Sequence, residues 1–155
     1  MKVCRLSDNR LFFWSMKWNF LNSIQVIDLP DDRPIISGAN IRGYRVGEWL
    51  DVNCTSRNSN PPAKLKWYIN DEKPTESYNV AIPPQKENSG LYTARLRLRF
   101  QLKRQHFVQG HVSLKCTASI YKEYFTSTSA IYPGLGLGEK ALESRRTNGN
   151  SKDHK

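Results

Sequence analysis

Three residues constrain this chain more than any others: Cys54, Trp67 thirteen residues after it, and Cys116 sixty-two residues after Cys54. Each sits in a segment whose apolar residues alternate, and each falls on the apolar parity. In residues 48–56, Leu50, Val52 and Cys54 take one face while Trp49, Asp51 and Asn53 take the other. In residues 64–70, Leu65, Trp67 and Ile69 oppose Lys64, Lys66 and Tyr68, and in residues 110–120, Val112, Leu114, Cys116 and Ala118 share a face. A period of two marks strands with one buried side. Two sheets packed about 10 Å apart let inward cysteines on facing strands bridge through the core while an indole lies against the sulfurs. The rival reading of the same residues is two buried free thiols and an ordinary core tryptophan in another β fold.

That spacing is the arrangement of strands B, C and F in an immunoglobulin-like domain. The remaining segments fit, because short alternating runs separated by turn residues recur at intervals of roughly 8 to 15 residues. Strand A is placed at 34–37, B at 48–56, C at 64–70, a short D near 77–82, E at 91–102, F at 110–120 and G at about 124–131. Residues 83–90, with two prolines, read as a loop. The expected fold class is all-β, an immunoglobulin-like antiparallel β-sandwich of about seven strands with flexible tails. One departure is visible: Leu114 stands two residues before the second cysteine, where many such domains place a corner tyrosine.

The sandwich is expected over residues 30–132. Residues 1–29 hold an unassigned N-terminal segment and a connector, since VIDLPDDRP from Val26 to Pro34 is rich in helix-breaking and donor-free positions. Residues 133–155 begin Pro133-Gly134-Leu135-Gly136-Leu137-Gly138 and turn polar, with too little apolar surface to offset ordering entropy, so a disordered tail is expected. Lys17 and Asn19 interrupt the apolar stretch near the N-terminus, which makes a poor signal peptide. No apolar run reaches the roughly 20 residues of a transmembrane helix. With Cys54 and Cys116 paired, Cys4 is left over.

The net charge of +10, from 24 Lys+Arg against 14 Asp+Glu, favours acidic partners without choosing among them. Its densest expression is Arg95-Leu96-Arg97-Leu98-Arg99-Phe100, which sets three guanidinium groups on one strand face about 6.8 Å apart, continued by Lys103 and Arg104. The stripe reads either as a docking site for carboxylate-rich or sulfated surfaces or as an ordinary solvated face that discourages edge pairing. Asn53-Cys54-Thr55 is an N-glycosylation sequon on the outward parity. Catalysis has little support: His106, His111 and His154 lack metal-ligand spacing, no serine sits in a nucleophile elbow, and the glycine run precedes no helix. No enzyme activity, metal or cofactor is expected.

In its wording the chain resembles one family. Tyr44-x-Val46-Gly47, Asn53-Cys54-Thr55-Ser56, Pro61-Pro62-Ala63-x-Leu65-x-Trp67-Tyr68-Ile69-Asn70 and Leu114-Lys115-Cys116-Thr117-Ala118, with VIDLP before them, are similar to the second immunoglobulin domain of the beaten path family of insect axon-guidance proteins. The resemblance covers roughly residues 26–132. It implies an extracellular or cell-surface recognition module in motor-axon guidance, binding ectodomains of the sidestep family. Members of that family carry a first immunoglobulin domain that residues 1–25 do not supply, so no receptor-contact residue is carried across. The reading from another class is a basic polyanion-binding module that uses Arg95, Arg97, Arg99, Lys103 and Arg104 on acidic glycosaminoglycan, with nucleic acid the weaker candidate.

Overall fold

The computed structural model describes residues 2–6, 24–122 and 124–137. Its elements are β1 (Lys2–Leu6), β2 (Ile24–Asp28), β3 (Ile35–Ser37), β4 (Trp49–Ser59), β5 (Lys64–Ile69), β6 (Asn79–Lys86), β7 (Tyr92–Gln101), β8 (His111–Ile120) and β9 (Tyr124–Pro133). Short 3-10 turns lie at Glu76–Tyr78 and Arg104–His106. Two sheets form the sandwich, one in the order β3-β4-β7-β6 and one in the order β5-β8-β9, with every neighbouring pair antiparallel. The seven expected strands are therefore β3 to β9.

The inward parity assigned from the sequence is the buried face. Leu50, Val52 and Cys54 of β4, Leu98 and Phe100 of β7, Trp67 and Ile69 of β5, and Val112, Leu114 and Cys116 of β8 form one core between the sheets. Cys54 and Cys116 are joined as a disulfide with Cα atoms 6.3 Å apart. Trp67 pairs directly with Cys116 across β5 and β8, which lays the indole beside the bridge. The indole Nε1 donates to the Leu96 carbonyl of the opposite sheet at 3.0 Å, so the tryptophan ties the sheets by a polar contact as well as by packing.

Turn chemistry fixes the ends. Asn70 and Asp71 both have positive φ, 50° and 65°, and Ile69 and Glu72 exchange backbone hydrogen bonds around them. Asn and Asp tolerate that left-handed pair, the conformation a two-residue hairpin turn demands. Gly43, at φ +106°, lies so close to the Pro133 carbonyl that any Cβ would collide with it. This close approach lets Tyr44 N donate to Pro133 O at 2.9 Å and Leu135 N donate to Tyr44 O at 2.8 Å.

Three details differ from the sequence reading. Residues 83–86 continue β6 instead of looping, and Pro83 and Pro84 fall at the register shift between Ile82 and Gln85 of an edge strand, where missing N–H donors cost no ladder bonds. Residues 24–28, read as unassigned segment and connector, form a strand that pairs with β1, and Asp28 and Asn60 exchange backbone bonds of 2.8 and 2.9 Å. Ile27 is buried there with Ala63, Ala118 and Ile120. Residues 133–137, placed in the tail, are held against the sandwich through Tyr44 and Gly110. The rest of the expected tail, 138–155, lies outside the described residues, as does the interrupted apolar stretch near the N-terminus. Cys4 lies in β1, opposite Val26.

Candidate functional site

The sandwich presents two outer sheet faces and, among its concavities, a cleft at one end. The arginine stripe occupies the outer face of the four-stranded sheet. Register places Arg99 opposite Asp51, Arg97 opposite Asn53 and Arg95 opposite Thr55. Arg97 holds Asp51 in a two-pronged ion pair, its Nε donating to Oδ1 at 2.6 Å and its Nη2 to Oδ2. Arg99 reaches the same carboxylate at 3.8 Å and lies over the Trp49 ring at 5.4 Å, while Arg95 donates to the Gln85 side-chain oxygen at 3.1 Å. The hydrogen bond from Arg97 is the main reason the Asp51 carboxyl sits below its ordinary pKa, with desolvation opposing it and the charges of Arg97 and Arg99 assisting.

Two consequences follow for the stripe. Its central charge is already neutralised by Asp51, which weakens it as a polyanion site. Lys103 and Arg104 also leave the strand face: the chain turns at Arg104–His106 toward the open end of the sandwich, where Asn70 Nδ2 donates to the His106 carbonyl at 2.9 Å. Asp51 is the residue of this face that sequence reasoning passed over. Its outward parity was legible, but its pairing with Arg97 depends on a register between segments forty-six residues apart.

Asn53 lies half-buried on this same face, between Ser37 of β3 and Arg97 of β7. β3 stops at Ser37, and the chain turns away at Gly38, which carries no side chain beside the Asn53 amide. The amide is thus bordered by small groups on one side and by an arginine drawn toward Asp51 on the other.

The outer face of the three-stranded sheet has a different character. Tyr68 and Lys115 are cross-strand partners, and the Lys115 ammonium sits 5.9 Å from the Tyr68 ring centre while pairing with Asp71 in the turn. Lys64 and Lys66 are exposed beside them. An aromatic body flanked by cations and short hydroxyl side chains can bury a rigid ring and still meet acidic groups, the combination that protein interfaces favour.

The end cleft has a volume of about 450 Å³ and is lined by Asn70, Glu72, Lys73, Tyr78 and His106 among others. His106 Nδ1 accepts a hydrogen bond from Lys103 N at 3.0 Å, and its ring meets Phe100 edge to face at 5.0 Å. Burial, then the Lys103 charge, lowers the His106 pKa below 6.5. Nδ1 must be unprotonated to accept that bond, so the fold binds fewer protons here than the unfolded chain, and stability falls as pH drops below about 6.5. The melting temperature should therefore decrease on acidification through this range, and His106→Asn, whose Oδ1 can replace Nδ1 as acceptor, should flatten the decrease. An unchanged slope in the variant would assign the titration to another group. No cluster of three or more His, Cys, Asp or Glu side chains that could hold a metal occurs among the described residues.

Residues 38–123 match the family described as CD80-like C2-set immunoglobulin domain. Among solved structures, the chain is similar to the crystal structure of Rst D1-D2, with 16% identity, a TM-score of 0.57, and coverage of 69% of this chain and 50% of that one. The chain thus spans about half the length of that structure, and at this identity the likeness speaks to fold alone.

Proposed function

Since the chain belongs to the CD80-like C2-set immunoglobulin domain family, we propose that it is a cell-surface or secreted recognition module acting by heterophilic protein–protein binding in neuronal guidance. The observation that carries this reading is the Tyr68–Lys115 pair with Lys66 on an open sheet face, in a sandwich closed by a disulfide. Disulfides of this structural kind persist in oxidising compartments, which supports an extracellular setting. No helix among the described residues is long and apolar enough to cross a membrane. The resemblance of its motifs to the beaten path family supports a sidestep-type ectodomain as the partner, and the lysines of the Tyr68 face suit an acidic surface on it.

The test is binding of the full chain, displayed multivalently, to sidestep-type ectodomains. Tyr68→Ala combined with Lys66→Glu should weaken binding at least about tenfold, because aromatic anchors dominate interface energies. Arg95→Ala with Arg99→Ala should leave it within about twofold, since those groups lie on the opposite sheet. Absence of binding by this chain, while a two-domain relative binds, would contradict direct recognition by it.

A further inference from the structure

Among the described residues, the edge of the three-stranded sheet is covered only at its C-terminal end, where Tyr44 bonds to Pro133 and Leu135, and from Tyr124 to Tyr132 it has none of the devices that normally guard an edge. β9 runs ten residues, YFTSTSAIYP, with no charged side chain, and its register with β8 is continuous from Tyr124 to Pro133 without a bulge. β8 is its only ladder partner among the described residues. Edge strands are ordinarily protected by lysines, bulges, internal prolines or a covering segment, because their open N–H and C=O groups template further pairing. Here the one proline is the last residue. Two large apolar side chains, Phe125 (72% exposed) and Ile131 (65% exposed), stand on the outer face near its ends.

The direction of the main-chain groups follows from the end of the strand. Pro133 O and Leu135 N bond to Tyr44 on the outer edge, whereas Gly134 N bonds to Gly110 O on the β8 side. Main-chain groups alternate along a strand, so those of Phe125, Ser127, Ser129 and Ile131 point outward from the sheet. The sequence is also nearly palindromic about Thr128: Tyr124 matches Tyr132, Phe125 matches Ile131, Thr126 matches Ala130 and Ser127 matches Ser129.

We propose that two copies of this chain associate through β9, antiparallel and centred on Thr128, so that two three-stranded sheets become one. This two-fold register makes Phe125 and Ile131 of opposite copies direct partners, as it does Ser127 and Ser129. All of these are positions whose main-chain groups point outward, so each pair exchanges both hydrogen bonds. The exposed phenylalanine and isoleucine cover one another twice, on one face, and the absence of charge on β9 leaves no repulsion across the axis. A second copy suits this edge better than an unrelated strand, because only a copy supplies the matching reversed sequence. The Tyr68–Lys115 face lies toward the far side of each sheet and stays open.

Sedimentation equilibrium of the full chain tests this. The chain should sediment at twice 17.9 kDa. Phe125→Lys with Ile131→Lys should give the single-chain mass, as should Phe125→Glu with Ile131→Glu, and an equimolar mixture of the two should return to the two-chain mass. Ser129→Pro serves as the control for folding: its N–H faces outward, so the substitution removes a donor from the intermolecular ladder and none from the β8 ladder, and it too should give the single-chain mass. A parent chain at the single-chain mass throughout, a two-chain mass that survives the charged pairs, or a mixture that stays at the single-chain mass would each overturn the proposal.

Discussion

Replacing both bridge cysteines, Cys54→Ala with Cys116→Ala, is expected to cost about 2–5 kcal/mol, the range typical of small secreted domains that lose a native disulfide. The bridge closes a loop of sixty-two residues. In the chain-entropy view that length corresponds to about 4 kcal/mol of restraint on the unfolded chain. A domain of this size is stable by only about 5–15 kcal/mol, so the variant should unfold at a much lower denaturant concentration or lose its cooperative transition at physiological temperature. Both sulfurs are fully buried, and alanine at each position also leaves unfilled volume beside Trp67. A loss below about 1 kcal/mol by denaturant unfolding would show that packing alone holds the sheets together.

Trp67→Ala should destabilise the domain by a comparable amount, about 3–5 kcal/mol, since the cost combines lost burial with the cavity left behind. Trp67 is 2% exposed and heads the fully buried side chains by volume. Trp67→Phe separates the two contributions. It keeps most of the aromatic packing and removes the Nε1 donor to the Leu96 carbonyl, which should cost about 0.5–1.5 kcal/mol for the hydrogen bond in addition to the lost ring volume. Equilibrium unfolding of both variants checks the order: alanine far below phenylalanine, and phenylalanine below the parent. Equal losses would mean that the hydrogen bond, and not the packed indole, carries the contribution.

The sandwich was readable in the sequence because its signal is local. Alternation in residues 48–56, 64–70 and 110–120 assigned the inward faces of β4, β5 and β8, and each assigned core residue is buried or half-buried. Cys54, Trp67 and Cys116 added the long-range constraint that placed those strands in facing sheets. What depends on register between distant segments was not readable. The arginine stripe was visible as a period of two, yet its partial neutralisation by Asp51 needed the β4–β7 pairing. The continuation of β6 through Pro83 and Pro84 was hidden because prolines argue against a strand unless it is known to be an edge. The docking of residues 24–28 and 133–137 was hidden for a related reason: their hydrogen bonds go to Asn60, Tyr44 and Gly110, each far away in sequence. The open edge of β9 likewise exists only once the sheet order is known.

Whether the folded immunoglobulin domain carries the Cys54–Cys116 bridge is tested most directly by intact mass. The full chain, expressed through the insect-cell secretory pathway, is alkylated with and without prior reduction. Two additional alkyl groups are expected only after reduction, mapping to Cys54 and Cys116, together with a glycan mass that a glycosidase removes and Asn53→Gln abolishes. Alkylation of Cys54 and Cys116 without reduction would contradict this expectation, because the bridge that joins the two sheets would then be absent from the folded chain.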